Sequence, residues 1–146
     1  MPSYWGSRAG LAPSKSRKNL MLVLDSGGVS RLAERSRSAA ALLIALRRAG
    51  IWPAAVPSAV LVEALTGHVG RDAPANRFLK TCDVVGELPE ALARRSAALR
   101  FQARRGSAVD AVVVAAAEPG GTVLTSDVED LRALAAHARE VQIVQV

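Results

Sequence analysis

At 146 residues the chain has the length of one domain, on a scale of about 150 residues per domain, and it is long enough to bury a sizeable core. Its 50% hydrophobic and 22% charged residues exclude a wholly disordered or collagen-like chain, and the longest apolar run, Ala111–Ala117, is far short of the ~18 residues of a membrane span. A net charge of +6, from 19 Lys and Arg against 13 Asp and Glu, favours a polyanionic partner, most often nucleic acid.

Residues 1–19 carry Arg8, Lys15, Arg17 and Lys18 among Ser, Gly and Pro, with no acid, and are expected to be a disordered basic tail. Tyr4 and Trp5 within it are a candidate recognition element. Residues 20–146 read as one globular domain. Leu20–Leu24 is a short apolar run that ends in Asp25 and Ser26-Gly27-Gly28, the pattern of a buried strand and a turn. Arg31–Arg48 has helical spacing of Leu32, Ala39, Leu42, Leu43 and Leu46, and Gly50 stops it. Ala54–Pro57 predicts a second strand. Ser58–His68 predicts a helix capped by Ser58. Ala75–Cys82 predicts a short helix and Asp83–Gly86 a third strand. Pro89–Arg104 predicts a long helix with Pro at its start, ended by Gly106. Ser107–Glu118 is the next helix, Thr122–Leu124 a strand, Val128–His137 a helix and Val141–Val146 the last strand. Apolar strands alternating with helices predict an α/β fold with a parallel sheet covered on both faces. Ligands of such sheets bind beyond the carboxyl ends of the strands.

The chemical inventory is short. One cysteine, Cys82, excludes an internal disulfide and a Cys-based zinc site, and two histidines exclude a His-rich one. Aromatic residues at 3% argue against a base-stacking platform. No signal-peptide pattern is seen, so a cytoplasmic location is expected. Carboxylates remain. Asp25 and Asp127 follow strands, and Glu63 and Asp110 sit in the N-terminal halves of apolar helices. Each has a structural reading too. Asp25 and Asp127 fit helix caps, and Ser107-x-x-Asp110 fits a capping box. Glu63 fits an exposed helix edge. Taken together, all four fall on one rim of a doubly wound sheet. Unneutralised carboxylates about 4–6 Å apart raise one another's pKa, and a divalent cation removes the penalty. Oxygen ligands without His or Cys select Mg²⁺ or Mn²⁺, ions suited to phosphodiester hydrolysis.

Asp25 after its strand, Glu63 in Val-Glu-Ala-Leu, Asp110 in Val-Asp-Ala-Val-Val-Val-Ala-Ala and Asp127 in Leu-Thr-Ser-Asp-Val-Glu-Asp-Leu resemble the acidic quartet of the PIN-domain family, over about Leu20 to Val146. The size resembles the VapC-type ribonuclease toxins of type II toxin–antitoxin systems. The resemblance implies a Rossmann-like sheet in order 3-2-1-4-5 and Mg²⁺- or Mn²⁺-dependent endoribonuclease activity. It implies a homodimer and a small cognate antitoxin; the short apolar runs separately predict no membrane partner. Members commonly carry Asp-Thr-Ser or Asp-Ser-Ser after the first strand, whereas this chain has Asp25-Ser26-Gly27. That departure leaves room for an alternative, a weak or inactive nucleic-acid-binding module of the same fold.

On the ribonuclease reading, Asp25 and Asp110 hold the primary metal with Asp127, and Glu63 positions a second ion or the attacking water. Ser26, Thr125 and Asp130 are accessory candidates. Without the four acids, 19 basic residues face nine acidic ones, a field suited to holding an RNA backbone around an acidic pocket. Arg31, Arg35 and Arg37, and above all Arg104 and Arg105 before the Asp110 helix, are the candidate phosphate contacts. Arg94 and Arg95 are expected to face solvent. His68 is expected to be structural, and Cys82 a small buried hydrophobe. A phosphoryl-transfer fold of the receiver or haloacid dehalogenase type fits poorly. The latter wants a second Asp at position 27, and the former a Lys late in the chain, yet no Lys follows Lys80.

Overall fold

A computed structural model describes residues 21–146. The basic tail, with Tyr4 and Trp5, lies outside the described residues. In chain order, β1 (Leu22–Leu24) is followed by α1 (Ser26–Ala33) and α2 (Arg37–Arg48), and β2 (Ala55–Pro57) by α3 (Val60–Ala64) and α4 (Val69–Leu79). Then come β3 (Asp83–Val85), α5 (Glu90–Ala103), α6 (Ala108–Ala117), β4 (Thr122–Thr125), α7 (Glu129–Ala135) and β5 (Gln142–Gln145). The five strands form one parallel sheet in the order β3-β2-β1-β4-β5, as expected. From β1 the chain winds outward to β3, then returns to lay β4 on the other side of β1. One helical layer is built around α1, packed on α2, α3 and α4; the other around α6, packed on α5 and α7. Both α1 and α6 touch β1 and β4.

The sequence explains this centre. Leu22, Val23 and Leu24 of β1 and Val123 and Leu124 of β4 are all buried, as strands covered on both faces must be. Every residue of Ala111–Ala117 is buried too, so α6 is apolar all round because it lies between the sheet and two other helices.

Several boundaries differ from expectation, each for a local reason. The helix expected over Arg31–Arg48 is two helices. The first starts at Ser26, because Asp25 caps it by accepting from Gly28 N at 2.7 Å. The second is capped by Ser36, which accepts from Ala39 N at 3.2 Å. Ser58 does not cap the next helix; its hydroxyl donates to Gly86 O at 3.4 Å. That helix, α3, stops at Ala64, and α4 begins at Val69 rather than Ala75, with Pro74 inside it. Buried Asp72 holds the turn between them, accepting from Thr66 N (2.9 Å), Thr66 Oγ1 (2.8 Å) and Gly67 N (2.8 Å). His68 is structural, its Nδ1 accepting from Arg71 N at 3.2 Å as the cap of α4. Cys82 is partly buried, which pushes its thiol up to about 11.

Arg95 corrects the expectation that it faces solvent. Its guanidinium grips Glu118 with two hydrogen bonds of 2.8 Å and donates to His137 O at 3.2 Å. Arg139 N adds a bond of 2.8 Å to Glu118. The pair ties α5 to the end of α6 and to the loop before β5.

Candidate active site

The sheet order reverses between β1 and β4, and the strand pairing there brings two distant segments together. Leu24 lies opposite Leu124, so the next residues, Asp25 and Thr125, meet at the carboxyl edge. Thr125 Oγ1 donates to Asp25 Oδ2 at 2.6 Å, and Gly28 N donates to Oδ1 at 2.7 Å. Thr125 Oγ1 also accepts from Asp127 N at 3.0 Å, which curls the loop after β4 back over the strand end. Asp25 is only 8% exposed and has no cation partner among the described residues. Burial pushes its carboxyl above the ordinary Asp value. The Thr125 and Gly28 bonds pull it down, and the charges of Asp110 and Glu63 push it up again.

The other carboxylates arrive by topology. Helix α3 follows β2, so its N-terminal end, with Glu63, sits at the carboxyl edge. Helix α6 runs back along the sheet, so its first turn, with Asp110, faces the same edge. Asp25, Glu63, Asp110 and Asp127 all line one pocket of about 230 Å³, together with Ser26 and Asp130. Asp110 is also half of a true capping box: Ser107 N donates to its Oδ2 at 3.1 Å and Asp110 N to Ser107 Oγ at 3.0 Å. Asp127 is steadied by Glu129 N at 3.4 Å. Glu63 is exposed, and its carboxylate has no partner among the described residues. The structural and functional readings are compatible: the cap engages one Asp110 oxygen, Oδ2, and leaves Oδ1 to the pocket, whereas both Asp25 oxygens accept one hydrogen bond each and keep a second lone pair for a ligand.

The donor set is all oxygen and all acidic, the chemistry that suits a hard divalent cation. The coordination sphere is not pre-formed. Among the described residues, no group of three or more His, Cys, Asp or Glu side chains stands together as a metal-holding cluster. Asp110 and Asp127 are turned to backbone amides. Two larger grooves, of about 520 and 530 Å³, are lined mainly by apolar residues such as Leu61, Leu65 and Leu79 in one and Leu42, Leu46 and Ile51 in the other.

The accessory and basic candidates separate. Thr125 holds Asp25, whereas Ser26 lines the pocket without a side-chain hydrogen bond to a described residue. Arg105 does lie beside the pocket, but it is engaged by Asp130 (2.8 Å) and Glu129 (2.9 Å). Arg31 is paired with Glu34 at 3.1 Å and Ser38 at 2.8 Å, and it lines the 530 Å³ groove instead of the acidic pocket. Arg35, Arg37 and Arg104 are exposed. Gly27, the departure from the family pattern, also lines the pocket, together with Ser126 and Leu131, which sequence reasoning did not place there. Gly27 and Gly28 read as a turn in sequence. In fact they let the first turn of α1 approach β4 closely: a Cβ on Gly28 would strike Leu124 O, and one on Gly27 would strike Ser126 Oγ.

The fold and pocket define a doubly wound α/β domain with an acidic cleft at its topological switch point. The sequence matches no protein-family model and no curated protein.

Proposed function

We propose that the chain is a Mg²⁺- or Mn²⁺-dependent endoribonuclease of PIN-domain type. The observation that carries this reading is Asp25: a buried carboxylate with no Lys, Arg or His partner among the described residues, pushed up by burial and by the neighbouring charges of Asp110 and Glu63, at the sheet's switch point. Asp25, Asp110 and Asp127 would hold the ion, with Glu63 beside them. Mg²⁺ keeps several waters and so can meet spread-out carboxylates partly through its own hydration shell. Once bound, the ion lowers the pKa of water and offsets charge on the scissile phosphate. The chain's own part is positioning. Thr125 and Gly28 fix Asp25, and the Ser107 cap fixes the backbone under Asp110. Glu63 is free to accept a hydrogen bond from the attacking water. Exposed Arg35 and Arg104 supply phosphate contacts outside the pocket.

The chain's size and its four acidic motifs support a further reading as the toxin of a toxin–antitoxin module, acting as a homodimer in the cytoplasm and blocked by a small cognate antitoxin. No helix among the described residues is long and apolar enough to cross a membrane. A second reading, a nucleic-acid-binding module without catalysis, is favoured by Gly27 in place of the usual hydroxyl residue, and by the spread of the carboxylates, no three of which form a metal-holding cluster among the described residues. Incubating labelled RNA with the purified protein in Mg²⁺, then in EDTA, separates the two. Cleavage that stops with EDTA and with Asp110→Asn supports the nuclease. Binding without cleavage supports the second reading, and cleavage that survives Asp110→Asn removes the metal mechanism.

A further inference from the structure

The pocket wall is unusually poor in donors. Carboxylates accept hydrogen bonds and do not give them, and a phosphodiester likewise only accepts. Thr125 Oγ1 is committed to Asp25, and Asp127 N to Thr125. Arg105, at the rim, is held by Glu129 and Asp130. Two hydroxyls remain on the wall, Ser26 and Ser126. Neither makes a side-chain hydrogen bond with another described residue; of Ser126, only the carbonyl is engaged, accepting from Gln145 Nε2 at 3.4 Å. Ser26 is half-buried, while Ser126 is exposed to whatever enters.

The position of Ser126 is built into the fold. It sits in the loop that Thr125 curls over β4, directly against the first turn of α1. A Cβ at position 27 would strike Ser126 Oγ and lie 3.0 Å from Ser126 N. Any side chain at 27 would therefore push the hydroxyl from its seat. The glycine is the space the hydroxyl uses.

We propose that the Ser126 hydroxyl donates a hydrogen bond to a non-bridging phosphate oxygen of the RNA backbone in the acidic pocket, and that Gly27 is required because it seats that hydroxyl. This rests on the ribonuclease reading and adds a substrate-binding residue to it. A hydroxyl bond to an anionic oxygen corresponds to roughly 10- to 100-fold in binding or rate.

The test uses the full chain with a fluorescein-labelled single-stranded RNA oligonucleotide. Ser126→Ala and Gly27→Ala should each lower kcat/KM in Mg²⁺ by roughly tenfold or more, and the double variant should be no worse than the poorer single one, because both changes remove the same bond. Ser126→Thr, which keeps the hydroxyl, should recover most of the loss. In an Asp110→Asn background, RNA affinity by anisotropy should fall by the same factor with Ser126→Ala. In the Ser126→Ala single variant, with Asp110 intact, the Mn²⁺ affinity by calorimetry and the melting midpoint should stay at parental values. If Ser126→Ala cuts and binds RNA within twofold of the parent, the serine proposal is overturned while the nuclease reading stands. Additive losses in the double variant overturn the seating role of Gly27. A parent that neither binds nor cuts RNA overturns both.

Discussion

Two carboxylates in this molecule are equally hidden and oppositely treated. Asp25 and Glu118 are each 8% exposed. Glu118 is met by the planar fork of Arg95 and by Arg139 N. Burial is the largest single influence on it and acts to raise its pKa, yet Arg95, Arg139 N and their charges together hold it below the ordinary value. Asp25 is met by one hydroxyl and one amide, with Asp110 and Glu63 adding repulsion, so burial prevails and its pKa is raised. The first is a finished structural joint between α5, α6 and the approach to β5. The second has no basic partner among the described residues and sits at the edge where the topology gathers acids, the kind of perturbed carboxylate that functional sites are enriched in.

The largest expected effect comes from removing the unneutralised charge. Asp25→Asn should lower RNA cleavage by at least about 10³-fold. It should also stabilise the fold by about 0.5–2 kcal/mol near neutral pH, the trade expected where a strained site serves activity. The amide keeps an acceptor for Gly28 N. The pH dependence carries the sign. A raised folded-state pKa means that the neutral form's stability is fully present below the unfolded value of 3.8 and is lost as pH rises through the folded value. The stability gap between Asp25→Asn and the parent should therefore open as pH climbs from about 4, as urea titrations at several pH values would read. A variant that is less stable than the parent at pH 7 would mean Asp25 is a satisfied cap like the rest.

The counter-ion itself is the next lever. Mn²⁺ at about a hundred times its dissociation constant should stabilise the parent by about 2.7 kcal/mol. Asp25→Asn and Asp110→Asn should lose most of that gain, and EDTA should reverse it. Equal gains in parent and variants, read as melting midpoints, would place the ion elsewhere.

Breaking the finished joint should do the reverse. Arg95→Ala should cost about 2–4 kcal/mol, below the full penalty for a buried pair because a quarter of the Arg95 side chain stays wet. Catalysis per folded molecule should hold. Because the folded Glu118 value is lowered, its contribution is present above the unfolded value of 4.5 and is lost as pH falls through the folded one. The deficit of Arg95→Ala should shrink in acid, opposite in direction to the Asp25→Asn gap.

How much of this contrast the sequence displays depends on how local its causes are. The sheet was legible because β1 is a bare apolar run and β4 a β-branched, half-apolar one, each followed by polar residues at the carboxyl edge. The acids were legible because strand ends and helix starts are local features, and the topology then forces them onto one edge. The Glu118–Arg95 joint was not legible: its partners are 23 positions apart, and nothing in Arg94-Arg95 says which one turns inward. Helix ends at Glu34–Ser36 and Thr66–His68 were missed because they are fixed by side-chain caps, Ser36 and His68, and by Asp72 reaching back to Thr66. The Gly27–Ser126 contact was invisible for the same reason. A glycine advertises a turn, whereas here it marks a close approach by a residue 99 positions later.

The smallest effect extends the comparison from acids to bases. Arg104 and Arg105 share the place before the Asp110 helix that makes them the favoured phosphate contacts, and Arg105 stands beside the pocket residue Asp130. Its guanidinium, however, is occupied by Glu129 and Asp130. Arg104, its neighbour, has the left-handed backbone (φ 55°) that ends α5, is exposed, and makes no side-chain bond to another described residue. A phosphate contact of Arg105 would require breaking two ion pairs, whereas Arg104 gives up only water. Each phosphate contact contributes about one unit to the slope of log affinity against log salt. Arg104→Ala should therefore flatten the slope for RNA binding by about one, and Arg105→Ala should leave it unchanged. Anisotropy titrations across a salt series would measure both. The opposite ranking would mean that RNA displaces Glu129 and Asp130 from Arg105, freeing Asp130 to join the pocket's acids.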